Sequence, residues 1–294
     1  MKRHCCWLIC VAALALRASA QVSVEAALDQ EQYLPGEAME VAVKISNRSG
    51  EKLQFSRTSE WLTVRIEGDG GYMAEASSEL PDGADFSLDS PRMATKRLNV
   101  EPYFHLTKPG RHKLSVRLRL PGYEQPILSP VKNFDIVTGT KLWEQEFGLP
   151  DTGHPPKVRS YMLQQANYLK HLELYLRITD PREQLPLHVV RLGRMVSFGQ
   201  PTALLDRRND LHIIFQNGAR SWRYCVLTPE GNFSLRQTHA MSENRPRLVV
   251  DEQGAISIKG GLRAKSADDL PPEPEPDFLA PPPATTNHVA PPPP

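Results

Sequence analysis

Apolar and polar residues alternate with a period of two through most of this chain. Met39-Glu-Val-Ala-Val-Lys-Ile45 and Trp61-Leu-Thr-Val-Arg-Ile66 show it most clearly. Alternation of this kind places every second side chain on one face of a strand, so these runs predict half-buried β-strands. Turn formers punctuate them at Pro35-Gly36, Pro109-Gly110 and Pro121-Gly122. In Pro35-Gly36 the proline fixes φ and the glycine accepts a positive one, which suits a type II turn. No amphipathic helix interrupts residues 21–138, and an antiparallel sandwich is expected there.

Beyond residue 156 the strands recur at a fixed distance. Pro156, Pro201 and Pro246 are each 45 residues apart. Pro201-Thr-Ala-Leu-Leu-Asp206 with Leu211-His-Ile-Ile-Phe215 lies over Pro246-Arg-Leu-Val-Val-Asp251 with Ala255-Ile-Ser-Ile-Lys259, and Leu174 to Pro181 lies over Trp222 to Pro229 at a shift of 48. A period of this length filled with short strands predicts stacked four-stranded units. The copies are cut as Leu174 and Trp222 onward, each a strand pair followed by a Pro-led strand ending in Asp and a last strand. Asp251-Glu-Gln-Gly254 predicts a hairpin whose glycine needs positive φ. Val158 to Ile178 mixes helical and strand spacing, and its later part reads as a strand.

The fold class is therefore all-β: a β-sandwich over 21–138, a linker over 139–155, a repeated antiparallel module over 156–264, and a Pro-rich disordered tail over 265–294. Residues 1–20 form a signal peptide, with Lys2-Arg3-His4 in front, an apolar run from Cys5 to Leu16, and Ala18-Ser19-Ala20 as the exit. This implies a secreted or periplasmic protein, with no apolar run long enough for a transmembrane segment once the leader is removed. Three of the four cysteines leave with that leader, so Cys225 remains and no intrachain disulfide is available. A net charge of +1 gives no electrostatic case for nucleic acid.

Tyr33-Leu-Pro-Gly-Glu37, the strand ending at Asn47, Lys108-Pro-Gly-Arg-His-Lys-Leu-Ser-Val116 and the closing Lys132-Asn-Phe-Asp-Ile136 resemble bacterial extracytoplasmic immunoglobulin-like domains, including macroglobulin-type and proteinase-inhibitor-like ones. Pro201 to Phe215 and Pro246 to Lys259 are similar to the hairpins of β-propeller blades of the NHL and sialidase types. These resemblances imply an immunoglobulin-like sandwich followed by blade-like repeats; they rest on turns and strands, and carry no site residues with them.

Candidate chemistry is sparse. There is no G-x-S-x-G elbow, no H-E-x-x-H helix and no glycine-rich phosphate loop, and no cofactor or metal is expected. His188 and His212 occupy similar strand contexts, and Asp206 closes the strand before His212. Trp222 and Tyr224 share a strand face that could stack on sugar rings or pack a core. These five residues are the candidate binding positions. The expectation is a non-enzymatic binding or structural protein, acting in adhesion, envelope assembly or ligand presentation on an unknown protein or glycan partner outside the cytoplasm. The alternatives are an extracytoplasmic hydrolase of carbohydrate or peptide with its site at the domain junction near His188, His212 and Asp206, and a proteinase inhibitor. Open edges of a short repeat array would also let chains pair as a homo-oligomer.

Overall fold

The structure, a computed structural model, describes residues 22–56, 60–71, 73–74, 85–104, 106–149, 157–182 and 186–271. The expected signal peptide lies outside the described residues.

In the first half the strands are β1 (Val22–Leu28), β2 (Gln32–Tyr33), β3 (Glu40–Asn47), β4 (Leu53–Phe55), β5 (Leu62–Gly68), β6 (Met73–Ala74), β7 (Phe86–Leu88), β8 (Arg92–Asn99), β9 (Gly110–Leu118), β10 (Ile127–Leu128) and β11 (Lys132–Ile136). One helical turn, α1 (Glu101–Phe104), follows β8. Two sheets result, ordered β1-β3-β8 and β2-β11-β9-β5-β6, with β10 paired to β9 and a separate β4-β7 ribbon. Alternation explains the packing. Val41, Val43 and Ile45 from one sheet and Val64, Ile66, Leu114 and Val116 from the other enter one apolar cluster. Trp61 closes it, its ring 4.7 Å from Phe55.

The second half contains β12 (Thr140–Leu149), β13 (Lys157–Tyr168), β14 (His171–Thr179), β15 (Pro186–Met195), β16 (Thr202–Leu205), β17 (Leu211–Gly218), β18 (Ser221–Leu227), β19 (Phe233–Ala240), β20 (Arg247–Val250), β21 (Ile256–Lys259) and β22 (Leu262–Ala264). They form sheets β12-β13-β14-β15 and β16-β17-β18-β19-β22 and the hairpin β20-β21. Leu163, Leu174, Leu176 and Ile178 of one sheet pack with Leu211, Ile213, Phe215 and Cys225 of the next. The whole is an all-β fold with a propeller-like arrangement of small sheets.

The repeat is present, but its units begin elsewhere. β14 and β18, the pair matched at a shift of 48, are each the third strand of a sheet; β16 and β20, matched at 45, each come first. Each copy cut at Leu174 or Trp222 thus spans half of one sheet and half of the next. Pro156 does not belong to the series. The strand after it, β13, is second in its sheet, whereas Pro201 and Pro246 lead first strands.

Two expected boundaries also move. Residues 139–155 hold not only a connection but the ten-residue strand β12, paired along its length with β13. As an edge strand it buries few positions, which is why its alternation is faint. The expected tail begins folded: Leu270 exchanges two backbone hydrogen bonds of 2.9 Å with Arg236, and Asp269 is buried against Arg263. Residues 272–294 lie outside the described residues.

The halves meet at the Pro35-Gly36 turn. Glu37 N–H bonds the Leu34 carbonyl at 3.0 Å, Gly36 takes φ of +83°, and a Cβ there would overlap the Pro186 ring. Leu34 packs with Ala166, Tyr175 and Val189, and Glu37 forms a β-bridge with Val189. The polar lining is paired. Gln30 donates to Glu37 Oε1 at 3.0 Å and accepts from Arg191 at 2.8 Å, while Arg191 also holds the buried Glu173.

Candidate functional site

Hairpin chemistry places the first group of candidate residues. Asp206 follows the strand β16, and its Oδ1 accepts the backbone N–H groups of Arg208 at 2.8 Å and Asp210 at 2.9 Å. Its other oxygen then lies 3.7 Å from His212 Nε2, an ion-pair separation too long for a hydrogen bond. Along β17, Leu211, Ile213 and Phe215 point into the inter-sheet core, so His212 takes the opposite face. There its Nδ1 is 2.7 Å from the Tyr224 hydroxyl, and the Tyr224 ring meets His239 edge-on at 6.4 Å.

All three rings are buried, and burial decides their charge. It pushes the His212 pKa below its usual value against the opposing pull of Asp206, and it does the same at His239 with help from Arg263. Tyr224 is pushed up to about 12, again by burial. Both imidazoles are thus neutral at pH 7 and the phenol stays protonated. The Asp206 carboxylate favours the tautomer with the His212 proton on Nε2, which leaves Nδ1 to accept from Tyr224. This carboxylate, imidazole and phenol series has the order of a proton relay, yet Tyr224 is only 6% exposed and reaches little solvent. Its chemistry is that of a packed polar network.

An open surface lies nearby. Between β15 and β16 the chain turns at Val196 to Gly199, tied by the Val196 N–H to the Gln216 carbonyl at 3.0 Å, and this turn leaves Phe198 77% exposed. Two cavities of about 580 and 550 Å³ meet at that ring. The first is lined by Lys170, His171, Arg194 and Asn217; the second holds Trp222, Arg245 and Arg247. Among the described residues no carboxylate lines either one.

The five sequence candidates therefore divide. Asp206, His212 and Tyr224 come together. Trp222 shares the strand face of Tyr224 but opens onto the second cavity. His188 stands apart: it pairs with Ile178 in the four-stranded sheet and packs beside Gly231, on the inter-sheet side from which His212 points away. Cys225 is fully buried in the core, its thiol pushed up to about 12. Phe198 and the four cations of the groove were not singled out by sequence. Phe198 followed by Gly199-Gln200-Pro201 is an apolar ring among turn formers, and that was the available signal.

No family model matches the chain, and no curated protein matches it. Among solved structures, it is similar to the sporulation control protein Spo0M of Bacillus subtilis at 10% identity, over 59% of this chain and 90% of that one, with a TM-score of 0.27. A score that low carries no inference about fold or function.

Proposed function

We propose that this chain is an exported, non-enzymatic binding protein of the secreted or periplasmic space. In this reading an immunoglobulin-like sandwich follows the signal peptide and carries a second module of blades akin to those of NHL and sialidase propellers, acting in adhesion, envelope assembly or ligand presentation. The observation that supports it is the contrast between the two kinds of residue in the second half. The titratable groups arranged for chemistry, Asp206, His212 and Tyr224, are packed away, whereas the accessible groove presents rings and cations. Concave surfaces lined by aromatic side chains and a few fixed polar groups are suited to holding ligands. The test is twofold. A tagged full-length chain should be recovered outside the cytoplasm, cut after Ala20, and should retain a ligand on a mixed glycan array or a partner from envelope extract. Retention inside the cell, or no captured ligand from either source, ends this reading.

One contact favours a hydrolase as the second reading. His171 lines the first cavity with its Nε2 2.8 Å from the buried carboxylate of Glu173, and Ser197 lines the same cavity. An imidazole oriented by a carboxylate beside a hydroxyl is the arrangement of a nucleophile and its base. Ser197 makes no hydrogen bond to His171 in the structure, and Glu173 is engaged as well by Arg191. A fluorophosphonate probe decides it: labelling at Ser197 that is lost in His171→Ala supports a hydrolase, and an unlabelled protein removes it.

A further inference from the structure

We infer that the groove past Phe198 takes an anionic saccharide chain, a ligand class that deepens the binding role proposed above and rests on it. Lys170, Arg194, Arg245 and Arg247 line the two cavities, and none of them makes an ion pair among the described residues. Four other arginines of this half are held by carboxylates: Arg191 by Glu173, Arg208 by Asp210, Arg223 by Asp268 and Arg263 by Asp269. The protein carries a net charge of only +1, so four unpaired cations around one acid-free groove form a local excess rather than a share of a basic surface. A groove of one sign concentrates ligands of the other.

The remaining lining points to sugar rings as the carriers of that charge. Phe198 keeps 77% of its surface in solvent where the two cavities meet, so its ring face is open to stacking by a ligand. Trp222 offers a second ring in the neighbouring cavity. Asn217 also lines the first cavity. Two ring faces and four unpaired cations together suit a hydroxylated ring bearing carboxylate or sulfate. An acidic peptide would also meet the cations, and the edge strands β15, β16 and β20 contribute Arg194, Thr202 and Arg247 to the lining; the two ring faces favour the saccharide, and polyglutamate binding is an outcome of the test.

Two matched pairs of polymers test the inference on the full-length chain by isothermal titration: polygalacturonate against its fully methyl-esterified form, and dextran sulfate against dextran. Polyglutamate serves as the acidic polypeptide. At least one anionic polysaccharide should bind at least tenfold more tightly than its neutral partner. Its affinity should fall at least tenfold between 50 and 500 mM salt, as screening shortens from roughly 14 to roughly 4 Å. Arg194→Gln and Arg247→Gln should each weaken it about fivefold, the worth of one charge contact near water, with unchanged melting temperature. Phe198→Ala should weaken the anionic polymer without altering its salt slope. Equal binding of charged and neutral partners, an affinity indifferent to salt or to both arginine substitutions, or binding of polyglutamate alone overturns the inference and leaves a binding protein in place. A chain that retains nothing on these polymers, on the mixed array or from extract overturns the proposed function itself.

Discussion

Arg191 grips the carboxylate of Glu173 with two nitrogens, Nε on Oε2 and Nη2 on Oε1, both at 3.1 Å. The contact runs diagonally across strands β14 and β15, where Glu173 pairs with Arg194 and Arg191 with Tyr175, and the third nitrogen, Nη1, reaches Gln30 in the first half of the chain at 2.8 Å. A planar fork is what makes this threefold use available, and lysine could not reproduce it.

The Glu173 side chain is only 3% exposed, so removing Arg191 leaves a buried carboxylate with His171 as its remaining side-chain partner. Arg191→Met should cost about 3 kcal/mol, the lower end for breaking a buried pair because Arg191 itself is partly solvated. Glu173→Gln combined with Arg191→Met should recover part of that loss. Urea unfolding of the two single variants and the double variant measures it, and additive losses would show that the pair is not coupled.

Glu37 gives the junction a pH dependence. Burial raises its pKa, against the lowering effects of the Leu34 N–H, Gln30 and Arg191. With the folded value above the unfolded one, the native state binds the extra proton, so this group's contribution to stability falls as pH rises from the ordinary carboxylate range through the raised value. Melting temperatures between pH 4.5 and 7 should therefore decline more steeply with pH in the wild type than in Glu37→Gln. Parallel profiles would contradict the assignment.

Cys225 is sealed in the core, with its thiol pushed up to about 12 by burial. A thiol that is neither accessible nor ionised does not react. Iodoacetamide should leave the native protein unlabelled over hours and modify it stoichiometrically in denaturant, with a native rate that tracks global unfolding. Fast labelling of the folded chain would show that the two sheets part locally.

Asp206 and Asp251 perform one task in two hairpins. Each bonds its backbone N–H to the carbonyl four residues on, Asp210 at 3.1 Å and Ala255 at 3.0 Å, and each accepts that same residue's N–H on Oδ1, at 2.9 and 2.7 Å. Asn209 and Gly254 supply the positive φ, +64° and +80°. Asp206→Ala and Asp251→Ala should each cost about 1 to 2 kcal/mol, while the Asn variants, which keep the acceptor, should cost less. Because Asp206 also faces His212, whereas Asp251 has no histidine partner among the described residues, Asp206→Ala alone should further shift the His212 titration followed by NMR.

Those paired turns show what the sequence could convey. Strand alternation, the Pro35-Gly36 turn and the Asp-to-Gly or Asp-to-Asn hairpins are local: each follows from the steric and hydrogen-bonding preferences of a few neighbouring residues, and each is legible one segment at a time. The all-β character and the 45-residue spacing of β16-β17 and β20-β21 come directly from them. Which strand begins a sheet is not local, since β15 and β16 carry the same alternation whether they pair or part; only the packing of Leu174 and Ile178 against Leu211 and Ile213 sets the boundary. The same holds for the candidate site. A single strand shows that Trp222 and Tyr224 share a face, but not that one is covered and the other opens onto a groove. Cations at 170, 194, 245 and 247 share no motif because three separate segments deliver them, the β13–β14 turn, the end of β15 and the start of β20, and burial in three dimensions decided which arginines met a carboxylate and which did not.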